Sequence, residues 1–319
     1  MKRKIALVCA AAMALSLAAC GSTTSSSEST AASDSTASES TASESTEADA
    51  ADSAEADAAG SDFDATQAIN VITREEGSGT RSAFVELTGV EDDSGDRTTQ
   101  GAATQNSTNG VMTTVANDVT AIGYISLGSL DESVKAVSVG GVAASADTVK
   151  DGTYTLSRPF NIVTNGEATD PVAVDFIAYC MSADGQALAT EEGYIGGEGA
   201  EFTSTQPAGN ITVGGSSSVS PLMEKLIEAY GAVNPNATIE LMTTDSTTGV
   251  TGALDGSYTI GMASRELKDE ETAQGAAATV LAMDGIAVVV NPANPTADLS
   301  VDQIKSIYTG ETTVWADVQ

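Results

Sequence analysis

The chain has 319 residues and carries 45 acidic against 13 basic side chains, for a formal charge of -32, with no histidine anywhere. So acidic a balance excludes nucleic acid as a partner, because nucleic-acid binding requires a basic face. The lack of histidine removes the commonest general base and metal ligand, which leaves little room for hydrolytic or metal-assisted chemistry.

The first stretch, "MKRKIALVCAAAMALSLAAC", joins a basic start to a short apolar run and small residues before Cys20. It reads as an export signal, since a membrane span needs roughly 20 apolar residues. Leu17-Ala18-Ala19-Cys20 resembles a bacterial lipobox, which implies loss of residues 1–19 and lipidation of Cys20. Two acyl chains anchor stably where one is marginal, so the mature chain is expected outside the cell, lipid-anchored to the outer face of the cell membrane. Cys9 leaves with the signal and Cys20 is used by lipid, so Cys180 has no partner for a disulfide. In "PVAVDFIAYCM" it reads as a buried free thiol.

Residues 20–65 are rich in Ser, Thr, Ala and acid, with eleven acids and no base between Gly21 and Ala65. A stretch so poor in large apolar side chains cannot repay its ordering entropy and is expected to be a disordered, self-repelling tether. Beyond it, strand-like runs ("AINVIT", "TAIGYISL", "SVKAVSV", "RPFNIVT", "NITV", "ATIELM", "YTIGMAS", "GIAVVV") alternate with helical patterns. That alternation predicts an α/β fold with mostly parallel pairing. Three helices are marked at the residue level. Asp170 caps one with Pro171 at its first position, Ser220-Pro221 opens another, and Ser300 with Gln303 forms a capping box for a third that stops at Gly310.

Four Gly/Ser/Thr turns stand where a strand hands over to a helix: Gly77-Ser78-Gly79-Thr80, Gly214 to Val219, Thr244 to Gly249, and Ala263-Ser264-Arg265. Such turns aim unpaired N–H groups and hydroxyls at one point with a helix dipole behind them, which suits an oxyanion. The thirteen basic residues less the three of the leader leave ten, and Arg74, Arg81 and Arg265 of that set lie in or beside these turns. Guanidinium donors match phosphate or carboxylate oxygens. Pairing of the same arginines with neighbouring Glu75, Glu76, Glu86 or Glu266 is the plainer alternative.

Together "VITREEGSGTRSAF", "VGGSSSVSPLMEKLIEAY", "IGMASRELKDEE", "DGIAVVVNPANP" and "LSVDQIKSIYTGETTVWADV" resemble the phosphate-binding lipoproteins of bacterial phosphate ABC transporters, from about Ile69 to Gln319. The resemblance implies a type II periplasmic-binding-protein fold, with two α/β lobes of mixed sheets joined by two crossing segments and closing over inorganic phosphate. It also implies delivery of that phosphate to ABC permease subunits, with no cofactor and no catalysis. The family's contacts fall on Arg74, Ser78, Gly79, Thr80, Ser217, Ser218, the Val219 N–H and Ser246, and Ser264 and Arg265 of the fourth turn are expected to bind phosphate beside them. Some members have an aspartate where this chain has Arg265, so the carboxylate that accepts the phosphate proton is open. Asp284 in "MDGIAV" is the candidate, against a plain role capping local backbone. An acceptor admits a protonated phosphate and repels fully ionised sulfate.

Relatives are expected to begin at the "GGSSSV" turn and reach "REEGSGT" later, so the order here reads as a circular permutant rejoined through a Gly-rich surface linker at 193–210. A fragment of a tandem protein is the alternative. The permuted reading assigns one lobe to 66–142 plus 291–319, the other to 143–290, and packs the helix at 301–309 against the strand at 69–73. Other readings are a binder of sulfate, molybdate or another oxyanion, a phosphate-sensing or adhesion lipoprotein, and a secreted hydrolase using Ser78 or Ser218. No G-x-S-x-G elbow or Walker lysine motif supports the last.

Overall fold

The computed structural model describes residues 63–318. The expected leader, Cys20 and residues 20–62 of the tether lie outside the described residues. Among the described residues no helix is long and apolar enough to cross a membrane.

Eight strands form the main sheet path: β1 (Asn70–Arg74), β2 (Ala103–Gln105), β3 (Ala121–Ser126), β4 (Ser157–Asn165), β5 (Gly209–Ser216), β6 (Ala237–Thr244), β7 (Ile260–Ala263) and β8 (Ala276–Val290). Their order is β6-β5-β7-β4-β8-β3-β1-β2. The pairs β1–β2, β1–β3, β5–β6 and β5–β7 are parallel, as the alternating pattern predicts. The middle is antiparallel instead, because β4 and β8 run against each other and against their outer neighbours β7 and β3. The sheet is therefore mixed.

Fifteen-residue β8 serves two cores. Residues 276–285 pair with β4, and 286–290 with β3. Beyond Gly285, Ile286, Val288 and Val290 face a core with Val71, Phe84, Tyr124, Leu156, Ile304, Tyr308 and Trp315. Ala287 and Val289 face the opposite side, with Ile72, Val111, Val115 and Ile125. This period-two split, with both faces buried, is why these strands read as unbroken apolar runs in sequence. The other half packs Phe160, Ile162, Phe176, Leu222, Leu226, Tyr230 and Met262 on one face and Val163, Val250, Ala253 and Ala263 on the other. Each fully buried large side chain contributes about 1.5–3 kcal/mol.

The chain passes between the cores twice, between Leu156 and Phe160 and again within β8. Val149, Tyr154, Leu156, Ile286, Val288 and Val290 all belong to the first core. The division of the core thus falls near 156 and 285, not at the lobe edges of 142/143 and 290/291 read from sequence.

Among the described residues seven helices of nine residues or more cover the sheet: α1 (Gly79–Leu87), α2 (Thr108–Ala116), α3 (Pro171–Cys180), α4 (Ala183–Glu191), α5 (Ser220–Val233), α6 (Ser246–Asp255) and α7 (Val301–Thr309). Helix α7 has the capping expected: Ser300 Oγ accepts from the Gln303 N–H at 3.2 Å, Gln303 Oε1 accepts from the Ser300 N–H at 2.7 Å, and Gly310 takes φ +79°. Its buried face, Ile304, Ile307 and Tyr308, shares a core with Val71, and Tyr308 Oη donates to the Ile72 carbonyl at 3.2 Å. Residues 68 and 314 form an antiparallel bridge beside this contact. Cys180 is a buried free thiol in α3, its pKa raised by burial.

The segment at 193–210 is not a loose surface linker. Tyr194 is buried, Ile195 bridges to Met283, and Gly199 lies so close to the backbone of Ser182 and Ala183 that no side chain fits.

Candidate functional site

Strand-to-helix turns from both halves meet where β1, β5 and β7 end. Ser78 caps α1, its Oγ accepting from the Arg81 N–H at 3.3 Å, so Gly79 and Thr80 begin the helix. Asp245 caps α6 in the same way, accepting from the Thr248 N–H at 2.9 Å, and leaves Ser246 at the first helical position. Gly215 at the end of β5 has φ +139° and lies against the Met262 backbone and Gly249, a conformation and a closeness that only glycine meets.

Hydroxyls from both halves then pair with one another. Thr80 Oγ1 lies 2.8 Å from Ser218 Oγ, and Thr108 Oγ1 stands 3.1 Å from the same oxygen. A second chain runs from Ser216 Oγ to Ser264 Oγ at 2.9 Å and on to Ser246 Oγ at 3.3 Å, with the Ser264 N–H donating to Ser246 at 3.0 Å. Gly79 sits against this chain: a side chain there would collide with the Ser246 hydroxyl and stand 2.8 Å from that of Ser264. Ser78, Thr80, Ser217, Ser218, Ser246 and Ser264 are all buried. Such a cluster can rotate its O–H groups to donate to an anion.

Arg74 ends β1 and is 2% exposed. Its Nε and Nη2 donate to the Glu75 carboxylate at 2.7 and 2.6 Å, and Nη2 also reaches Ser217 Oγ at 3.1 Å, across the two halves. One charge thus holds the "GSGT" and "GGSSSV" loops together. Arg81 turns away, donating to Asp96 at 2.8 Å and to the Arg74 carbonyl at 2.8 Å, and so braces the end of β1. Arg265 is forked onto Glu271 at 2.8 and 2.7 Å rather than onto the side chain of adjacent Glu266, and its Nη2 touches Thr247 Oγ1 at 3.3 Å. Val219 differs from expectation: its N–H is donated to the Ser216 carbonyl at 3.0 Å and its side chain fills the core of the second half. The tight turn that presents Ser217 and Ser218 uses that N–H itself.

Asp284 lies on β8 directly across from Arg158, with Oδ2 at 3.1 Å from Arg158 Nη2 and Oδ1 accepting from the Gly128 N–H at 3.3 Å. Burial pushes its pKa up to about 6, against the opposing pull of Arg158. No described His, Cys, Asp and Glu side chains cluster as a metal site.

This arrangement has counterparts of known kind. The PBP superfamily domain matches residues 46–184 and 200–319. The phosphate-binding protein PstS 2 of Streptococcus agalactiae is 48% identical over 256 residues, covering 78% of this chain and 87% of its own. That of Streptococcus pneumoniae is 44% identical over 261 residues, covering 80% and 89%. The chain belongs to the PstS branch of the PBP superfamily. A crystal structure of a phosphate-binding protein of a phosphate ABC transporter from Streptococcus pneumoniae TIGR4 superposes with a TM-score of 0.64 at 44% identity, covering 79% of this chain and 100% of that one.

An alignment spanning 78% of this chain necessarily includes both the "GSGT" and the "GGSSSV" loops. The streptococcal PstS proteins therefore carry the segments that align with these two loops in the order found here, so the order is not peculiar to this chain and the expectation that relatives begin at "GGSSSV" does not hold for them. Two residues that touch candidate site residues were not among the sequence expectations. Thr108 opens α2 behind the Ser107 cap, and "QNSTNG" after β2 is a fifth strand-to-helix turn that the same pattern search could have found. Arg158 is one of the ten scarce basic residues, but it stands beside no Gly/Ser turn.

Proposed function

We propose that this chain captures inorganic phosphate between its two halves, outside the cell, and delivers it to the permease of an ABC transporter. The observation that carries this reading is the meeting of helix starts from both halves around Arg74. Backbone and hydroxyl donors, a helix dipole and one fixed guanidinium converge there, which is what an oxyanion needs. The kinship with the streptococcal PstS 2 proteins, which are phosphate-binding proteins, selects phosphate among the oxyanions. Arg74, Ser78, Gly79, Thr80, Ser217, Ser218, Ser246 and Ser264 form the contact set, Thr108 orients Ser218, and Arg265 with Glu271 braces Thr247 beside Ser246. The Val219 N–H belongs to the turn rather than to the contact set.

Asp284 is the acceptor that reads the phosphate proton. A carboxylate with a pKa of about 6 beside Arg158 is ionised at neutral pH and accepts from an O–H that sulfate lacks. Lipidation at Cys20 would hold the receptor at the membrane beside its permease, as the lipobox pattern suggests. With no histidine, neither Ser78 nor Ser218 has an imidazole to activate it, so binding rather than hydrolysis is the reading.

Calorimetric titration of the purified chain with phosphate and with sulfate, after unfolding and refolding to strip carried-over anion, tests the reading. Phosphate should bind and sulfate should not. Binding of sulfate without phosphate would transfer the site to another oxyanion, and binding of neither would end the anion-receptor reading.

A further inference from the structure

Arg158 is the second residue of β4, where the chain passes from one core to the other, and it is 2% exposed. Arg74 and Arg265 are about as deeply buried, and each is forked onto a carboxylate. Arg158 is not. Its 3.1 Å approach to Asp284 is not aligned as a hydrogen bond, and among the described residues its Nε, Nη1 and Nη2 all lack a hydrogen-bond partner. The Phe160 ring, 5.4 Å from the guanidinium carbon, attracts the charge but offers no acceptor in the plane of the N–H groups. A buried guanidinium is costly when its donors go unmet, so the arrangement favours something that meets them.

Two further observations say what that is. The charge of Arg74 opposes that of Arg158, and an anion that met the open donors of Arg158 would relieve that opposition. Arg158 also lines a cavity of about 530 Å³, bounded by Ser82 of α1 on one side and by Arg265 and Lys268 on the other. A solute in this cavity, which Glu86, Glu91 and Glu266 also line, can reach Arg158.

We propose that Arg158 is a second guanidinium contact for the bound phosphate, acting opposite Arg74 while its charge also balances Asp284. This rests on the phosphate reading given above. The three unmet N–H groups of Arg158 suit phosphate oxygens, and Asp284 beside it accepts the one O–H. Both residues of the pair sit on the strands that join the halves, so specificity is built into those strands.

The test is calorimetric titration with phosphate of the full chain and of Arg158→Lys, Arg158→Gln, Asp284→Asn and the Arg158→Gln/Asp284→Asn double variant, each with a melting curve taken with and without phosphate. The parent is the control for the reading itself: if it fails to bind phosphate, the phosphate reading falls whatever the variants do. With a binding parent, Arg158→Gln should lose at least about tenfold in affinity and most of its phosphate-induced rise in Tm. Arg158→Lys, which keeps the charge but loses the fork, should recover part of the loss. The double variant holds no buried charge at this pair and covers the case in which Arg158→Gln alone does not fold. It should bind at least about tenfold more weakly than Asp284→Asn. Affinity within about twofold of the matching control in folded Arg158→Gln, or in the folded double variant, would overturn the proposal, and Arg158 would then be only the structural partner of Asp284.

Discussion

The hydroxyls of Thr80 and Ser218 lie 2.8 Å apart although 138 positions separate them in the chain, and they tie the start of α1 to the start of α5. Because the two residues come from different halves, their bond is made only when the halves are together. In a double-mutant cycle of Thr80→Val and Ser218→Ala, phosphate affinity should show a coupling of about 1 kcal/mol between the sites. Strict additivity in calorimetric titrations would mean that the two hydroxyls act independently on the anion.

Gly79 makes the most economical probe of the same junction. In the interior of a helix alanine is favoured over glycine by up to about 1 kcal/mol, yet here an added Cβ runs into Ser246 and Ser264. Gly79→Ala should therefore lower the Tm of the phosphate-free chain, since the collision is made without ligand, and weaken phosphate binding at least about tenfold. Unaltered affinity would show that α1 does not approach the anion as closely as the geometry requires.

Arg74 is held at both ends, by the Glu75 fork and by Ser217. Arg74→Ala removes a buried charge-assisted donor worth about 1.5–3 kcal/mol, which corresponds to at least about a tenfold loss of phosphate affinity. Arg74→Lys should restore little, because an ammonium cannot span Glu75 and Ser217 together. Titration of both variants checks this, and a parent-like affinity in the alanine variant would take Arg74 out of the site.

Stability should also depend on pH in a window where this chain has few other titrating groups. Burial raises Asp284 from 3.8 to about 6, so the folded form retains a proton that the unfolded form has released between those values. That contribution is complete below the unfolded pKa and disappears as pH rises through about 6. Carboxylates whose pKa is lowered, such as Asp118, Asp175 and Glu271, act in the opposite sense and only in more acid solution. Without histidine, the phosphate-free chain should be about 1 kcal/mol more stable at pH 5 than at pH 7. Melting curves at the two pH values check the sign, and Asp284→Asn should abolish the difference.

Local chemistry made a good part of this molecule readable in advance. Ser300, Gln303 and Gly310 bracket α7 because capping is decided by side chains within one turn, and Asp170-Pro171 opens α3 for the same reason. The convergence of the Gly/Ser turns was legible because each is a strand end followed by a cap, and parallel strands place such ends on one side of a sheet. What escaped is set by partners remote in sequence. Val219 spends its N–H on Ser216 to close the turn, Arg265 finds Glu271 rather than the side chain of its neighbour, and Arg158 acquires meaning only when β8 brings Asp284 across from it. The lobe edges were misplaced because β8 reads as one apolar strand, and nothing in its alternation marks Gly285 as the point where its hydrogen-bonded partner changes.

That strand has a thermal consequence. With residues 276–285 laddered into one core and 286–290 into the other, neither half can unravel without stripping backbone partners from a strand the other half still needs. Two halves joined only by loops would melt in succession, but here the loss of one is the loss of both. The described body should unfold as a single cooperative unit, and the free energy that phosphate contributes by bridging the halves protects the whole of it at once.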